Sequence, residues 1–270
     1  AQAALNGASA AAMKSADNFY QGDASKWRKF ANSLMLRVAM RMSKVDPAAA
    51  EQWVKTAVAN GVFESDADNC MLMHAGGLTT NDSSEPYAKI YSHEDRGNFF
   101  LTEYFVDLLK STNDPRLSLI GTVCEDPTIS VQAGSDFQYG NSDPAVQKGL
   151  PSGFSDSPDS PWFVGNKYPE FKDEDYRSTY RSRYSTINRY TYSDPTGPTF
   201  VCTYAQTQLL LAEAAVRGWV DGSAQTYYEN GVRAAMRQFA QFPNGTALYN
   251  QYLTPVSYTH LRAHETGAYL

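Results

Sequence analysis

Near the C-terminal end, one-sided patterns recur at three- and four-residue steps along two consecutive stretches. In 204–215 one face carries Tyr204, Gln208, Leu211 and Ala215, and in 227–239 one face carries Tyr227, Val232, Ala235 and Phe239. Such a period marks helices buried along a single stripe. Between them Arg217-Gly218 reads as a C-cap and Asp221-Gly222-Ser223 as the next N-cap, so the spacing predicts two helices that turn back antiparallel. Alanines at the seam let the two approach closely. One hairpin cannot bury its own stripe, however, and the pattern requires other pairs to stack on it, as in tetratricopeptide-like repeats.

A second pair is predicted upstream. Along 25–43, Trp27, Phe30, Ala31, Leu34, Val38 and Met42 fall on one helical face, with Arg37 and Arg41 on another. Asp46-Pro47 supplies an N-cap and a first-turn proline for the following helix, which turns Trp53, Val54, Ala57 and Val58 inward and stops at Asn60-Gly61. A further helix over about 98–110 presents Leu101, Phe105, Leu108 and Leu109 and ends before Asp114-Pro115.

Between 121 and 198 the periodicity disappears, and Gly, Pro, Ser and Asp dominate. Twelve aromatics, among them Phe137, Trp162, Phe163, Tyr168, Phe171, Tyr176, Tyr190 and Tyr192, give this stretch far more ring mass than disordered segments carry. It is read as a folded excursion, with short strands near 189–192 and 199–202. The fold class that follows is mostly α: tetratricopeptide-like helical hairpins with a long loop-rich, aromatic-rich excursion and minor β.

Charge narrows the partners. A net charge of -6 argues against nucleic acid, which requires a concentrated basic face. No stretch approaches the ~20 apolar residues of a membrane span. Cys70, Cys124 and Cys202 have neither the count nor the spacing of a disulfide framework or zinc site and are read as buried thiols.

Three segments, in this order, carry a family likeness. The run 22–34 (Gly-Asp-Ala-Ser-Lys-Trp-Arg-Lys-Phe-Ala-Asn-Ser-Leu), continuing to Arg37, Ala39, Arg41 and Ser43, is similar to a central helix. Asn113-Asp114-Pro115-Arg116-Leu117 is similar to an Asp-Pro-Arg turn. The third is the 204–215 helix with its glycine turn and 227–236. Together they resemble the SusD/RagB family of nutrient-binding outer-membrane lipoproteins from Bacteroidetes. The resemblance implies a single, partial SusD-like domain over 1–255, with the excursion at 121–198. It also implies a non-catalytic, surface-exposed protein, without cofactor or metal, that delivers a glycan or other nutrient to a SusC-like TonB-dependent transporter. The export signal and lipid anchor would then lie upstream of Ala1. Residues 256–270 depart from the family pattern and read as a non-native tail.

Trp and Tyr rings offer an apolar face and a polar edge, the complement of a sugar's C–H face and hydroxyl rim. Trp162, Phe163, Tyr168, Tyr176 and Arg177 are therefore the candidate ligand-binding residues, with Asn166, Asp173, Glu174 and Asp175 nearby to take hydroxyls. Candidates for chemistry are weaker. His93-Glu94-Asp95 lacks the second histidine of a zinc helix, His74 stands alone, and no Asp-x-Asp-x-Asp-Gly calcium loop surrounds Asp173-Glu174-Asp175. An all-α glycosidase would need two facing carboxylates at a set separation. The alternative from another class is a helical-repeat interaction scaffold with no small ligand, distinguished by whether the aromatics cluster on an exposed concave face.

Overall fold

Polar side chains at the helix starts decide where the chain becomes helical. In the computed structural model, which describes residues 14, 16–76, 85–89, 99–124, 140–153, 159–167 and 184–253, the side chains of Asp23, Asp46, Thr102, Thr203 and Ser223 each accept a first-turn backbone N–H. The elements in order are α1 (Ala24–Arg41), α2 (Pro47–Ala59), β1 (Cys70–Leu72), α3 (Pro86–Lys89), α4 (Glu103–Ser111), α5 (Leu117–Ile120) and β2 (Gly121–Cys124). After these come β3 (Gly140–Asn141), β4 (Thr186–Ile187), β5 (Thr199–Cys202), α6 (Tyr204–Val216), α7 (Ala224–Arg237) and α8 (Thr246–Tyr252). The chain divides into two compact units, Ala1–His74 with Pro198–Gln238, and Ala75–Gly197 with Phe239–Leu270.

In the first unit the expected helical pairs are present. Leu36, Ala39 and Met40 of α1, Val54 and Ala57 of α2, Val62, and Leu211 and Ala214 of α6 form one core, so the second hairpin buries its stripe on the first pair. Gly218 and Gly222 take φ of 73° and 107°, the left-handed backbone that the turn between α6 and α7 requires. On α7, a Cβ at Gly231 would stand 2.7 Å from Leu209 Cγ of α6, so glycine there allows the close helix approach.

Several expected faces are rotated. On α1 the buried positions are Asn32, Ser33, Leu36, Ala39 and Met40, and Val38 is 53% exposed. Two polar residues complete that stripe, because both have partners. Asn32 Nδ2 donates to the Asn60 and Gly61 carbonyls at the end of α2 (3.0 and 2.8 Å), and Ser33 Oγ accepts from Phe63 N (2.9 Å). On α2 the chain buries Ala50, Val54 and Ala57 and leaves Trp53 half exposed; on α4 it buries Val106 and Leu109 and leaves Leu108 outside. On α7, Gly231, Ala234 and Met236 are buried, while Val232 and Ala235 are only partly so.

β1 and β5 pair antiparallel, fulfilling the strand expected at 199–202. Beneath them Tyr20, Phe63, Cys70 and Cys202 are buried together, and Trp27 meets Phe19, Tyr20 and Phe30 edge-on.

The second unit is held differently. A small apolar core of Val106, Leu109 and Leu117 sits beside the antiparallel sheet β3-β2-β4. Polar side chains fix the remainder: Asn188 Nδ2 donates to the Ser118 carbonyl and to Ser142 Oγ (both 3.0 Å), and Gln147 Nε2 donates to the Gly121 carbonyl (2.9 Å). The strand expected at 189–192 is a turn. The extended residues are Thr186–Ile187, after which Thr191 N–H and Asp194 N–H bond three residues back. The helix expected from about 98 starts at Glu103, where Thr102 caps it, and the Asp-Pro-Arg turn closes through an Asp114–Arg116 ion pair of 2.5 Å.

Candidate ligand-binding surface

Within 159–167, local hydrogen bonds aim two consecutive rings in different directions. Ser160 Oγ accepts from Trp162 N (3.2 Å), the Ser160 carbonyl accepts from Phe163 N (3.0 Å), and the Phe163 carbonyl accepts from Asn166 N (3.0 Å). The resulting turn runs into a 3₁₀ segment at Val164–Asn166. Phe163 is 8% exposed and Trp162 is 70% exposed. One ring anchors the loop and the other is presented to solvent, with Asn166 and Lys167 also exposed on the same turn. An indole held this way offers a flat apolar face and an N–H donor, the two features that stacking on a sugar uses.

Of the five candidate residues, the structure places Trp162 on the surface and Phe163 in the interior. Tyr168, Tyr176 and Arg177 lie outside the described residues, as do Phe171, Asp173, Glu174 and Asp175. Among the described residues of the second unit, exposed rings outside the candidate set include Phe99, 37% exposed, and three tyrosines. Tyr190 and Tyr192, 38% and 45% exposed, sit on the turn after β4, and Tyr192 is braced edge-on by Phe239 and Phe242 at centroid distances of 5.7 and 5.4 Å. Tyr104, 79% exposed on α4, is the third. Its signal in the sequence is a ring out of phase with the Val106 and Leu109 stripe.

His74 Nε2 is 2.9 Å from Thr199 Oγ1, so this histidine has a hydrogen-bond partner, and His93 lies outside the described residues. Burial pushes the Cys70 and Cys202 thiols above the usual range. Among the described residues, no cluster of three His, Cys, Asp or Glu side chains could hold a metal ion, and no helix is long and apolar enough to cross a membrane.

Comparison with known proteins places this arrangement. A chitin-binding protein of solved structure is 30% identical, with a TM-score of 0.64 over 92% of this chain and 46% of its own. A SusD homologue from Bacteroides fragilis is 26% identical, with a TM-score of 0.60 over 91% of this chain and 48% of its own. A SusD-like protein from Bacteroidetes AC2a, at 24% identity, shares the fold with a TM-score of 0.70 over 93% of this chain and 53% of its own. The chain thus spans about half the length of the solved structures it matches. No protein with a curated description matches it significantly. The SusD-like family model, described as starch-binding and associating with the outer membrane, matches residues 1–267. On that match the chain belongs to the SusD-like family of outer-membrane-associated nutrient-binding proteins.

Proposed function

We propose that this chain captures a glycan on the aromatic loops of its second unit and passes it to a TonB-dependent outer-membrane transporter, held at the cell surface by a lipid anchor. The observation that carries the reading is Trp162, 70% exposed on a turn pinned by buried Phe163. An indole presented on a pinned turn offers the apolar face and N–H donor with which stacking on a sugar is made. Family membership supplies the class of ligand, and the 30%-identical chitin-binding protein makes β-linked N-acetylglucosamine oligomers the first glycan to try. The transport and anchoring parts of the proposal are supported by family membership alone.

Release must be quick for hand-over, so a moderate affinity carried by few stacking rings suits the role better than a deep enclosing pocket. Calorimetric titration of the chain with soluble chitin oligomers, maltooligosaccharides and a panel of polysaccharides tests the reading. Saturable heat with at least one glycan is expected. Absence of binding throughout would favour the interaction-scaffold alternative.

A further inference from the structure

β1 and β5 place Cys70 directly opposite Cys202. Both thiols are free and buried, 1% and 2% exposed, and they share one apolar cluster with Tyr20 and Phe63. Directly opposed residues on antiparallel strands have Cα atoms about 4.5–5.5 Å apart, a separation that a disulfide spans without backbone movement. Next to the pair the register shifts, so that Met71 faces Phe200 and Val201 is left outside the pairing. Such a bulge bends the strand and increases its local twist.

We propose that Cys70 and Cys202 close a cross-strand disulfide when the chain folds in an oxidising compartment. The compartment rests on the family's association with the outer membrane, since disulfides persist in the periplasm and at cell surfaces. The juxtaposition of the two cysteines is independent of that reading. With oxidised glutathione as oxidant, one cysteine thiolate attacks a glutathione sulfur and releases one reduced glutathione. The second thiolate attacks the resulting mixed disulfide and releases another, so two electrons and two protons leave the protein and reduce one glutathione disulfide. Burial holds both thiols protonated once the strands have paired, so the exchange belongs to folding, before β1 and β5 close over it. The bond would tie together segments roughly 130 residues apart, a long loop whose closure removes much freedom from the unfolded chain.

The test is to refold the denatured chain in a buffer of reduced and oxidised glutathione, alkylate the remaining thiols, and map peptides without reduction. The expected product lacks two hydrogens, links the peptide containing Cys70 to that containing Cys202, and leaves Cys124 alkylated. Its melting temperature should exceed that of the reduced protein by about 5–15 °C. That gain should vanish in Cys70→Ser and Cys202→Ser and persist in Cys124→Ser. Alkylation of both Cys70 and Cys202 in the oxidised sample, or a link that uses Cys124, would overturn the proposal. The peptide map of the parent decides even if a serine variant fails to fold.

Discussion

Asp17 shows how a single side chain orders a loop. Its carboxylate accepts the backbone N–H of Phe19, Tyr20 and Gly22 at 3.0, 3.2 and 2.8 Å, and the Trp27 indole N–H at 2.7 Å. Burial works against its ionisation, but the donors from Gly22, Trp27, Phe19 and Tyr20 together hold the carboxyl below its usual range. With the folded value lower than the unfolded one, the stabilisation is fully present at neutral pH. It is lost as pH falls below about 4. Asp17→Asn should therefore flatten the acid limb of a stability profile measured by urea unfolding between neutral and acid pH, and an unchanged limb would remove Asp17 from this role. The Trp27 stripe of α1 was legible in part for a related reason. Asn32 and Ser33 are polar, and a reading that counts apolar positions slides past them to Leu34 and Val38. The partners of Asn32 Nδ2 and Ser33 Oγ, the end carbonyls of α2 and the Phe63 amide, come from elsewhere in the chain, so no local pattern shows that these groups can be buried.

Helices whose ends carry their own caps were legible, although the Thr102 start of α4 was placed too early, and of the strands made by distant partners only β5 was. The α6–α7 hairpin is read from Arg217-Gly218 and Asp221-Gly222-Ser223, and α2 from Asp46-Pro47 and Asn60-Gly61, because capping and left-handed turns are local chemistry. β2, β3 and β4 are two to four residues long and exist only by pairing across wide stretches of chain, so the turn at 189–192 passes for a strand. At the seam of the first unit, Ala214 is wholly buried within the core of α1, α2 and α6. Ala214→Leu should destabilise the protein by about 1–3 kcal/mol through overpacking, read as a lower midpoint in chemical denaturation. An unchanged midpoint would contradict the close seam.

At the scale of the whole chain, the two units use different means of cohesion: apolar stripes in one, and in the other buried amides and hydroxyls such as Gln147, Asn188 and Thr191 that hold an excursion rich in loops. This explains why the sequence shows the helices clearly and the candidate surface dimly. Ring content marks the excursion, but only the Ser160 turn decides that Trp162 faces outward and Phe163 inward. The segment 256–270 lies outside the described residues, although the family match runs to 267. Read as foreign sequence, it should be removable with no change in melting temperature or helical content by circular dichroism, and a large loss of helix would show that it belongs. Under the proposed function, Trp162 stacks on the glycan while buried Phe163 supports the loop. The most direct measurement is calorimetric titration of the parent, Trp162→Ala and Phe163→Ala with the glycan that the parent binds, alongside thermal melts of all three. Trp162→Ala should weaken binding by about 1–3 kcal/mol and leave the melting temperature within about 2 °C, whereas Phe163→Ala should lower the melting temperature markedly. Undiminished binding by Trp162→Ala, together with a large fall in its melting temperature, would contradict the account.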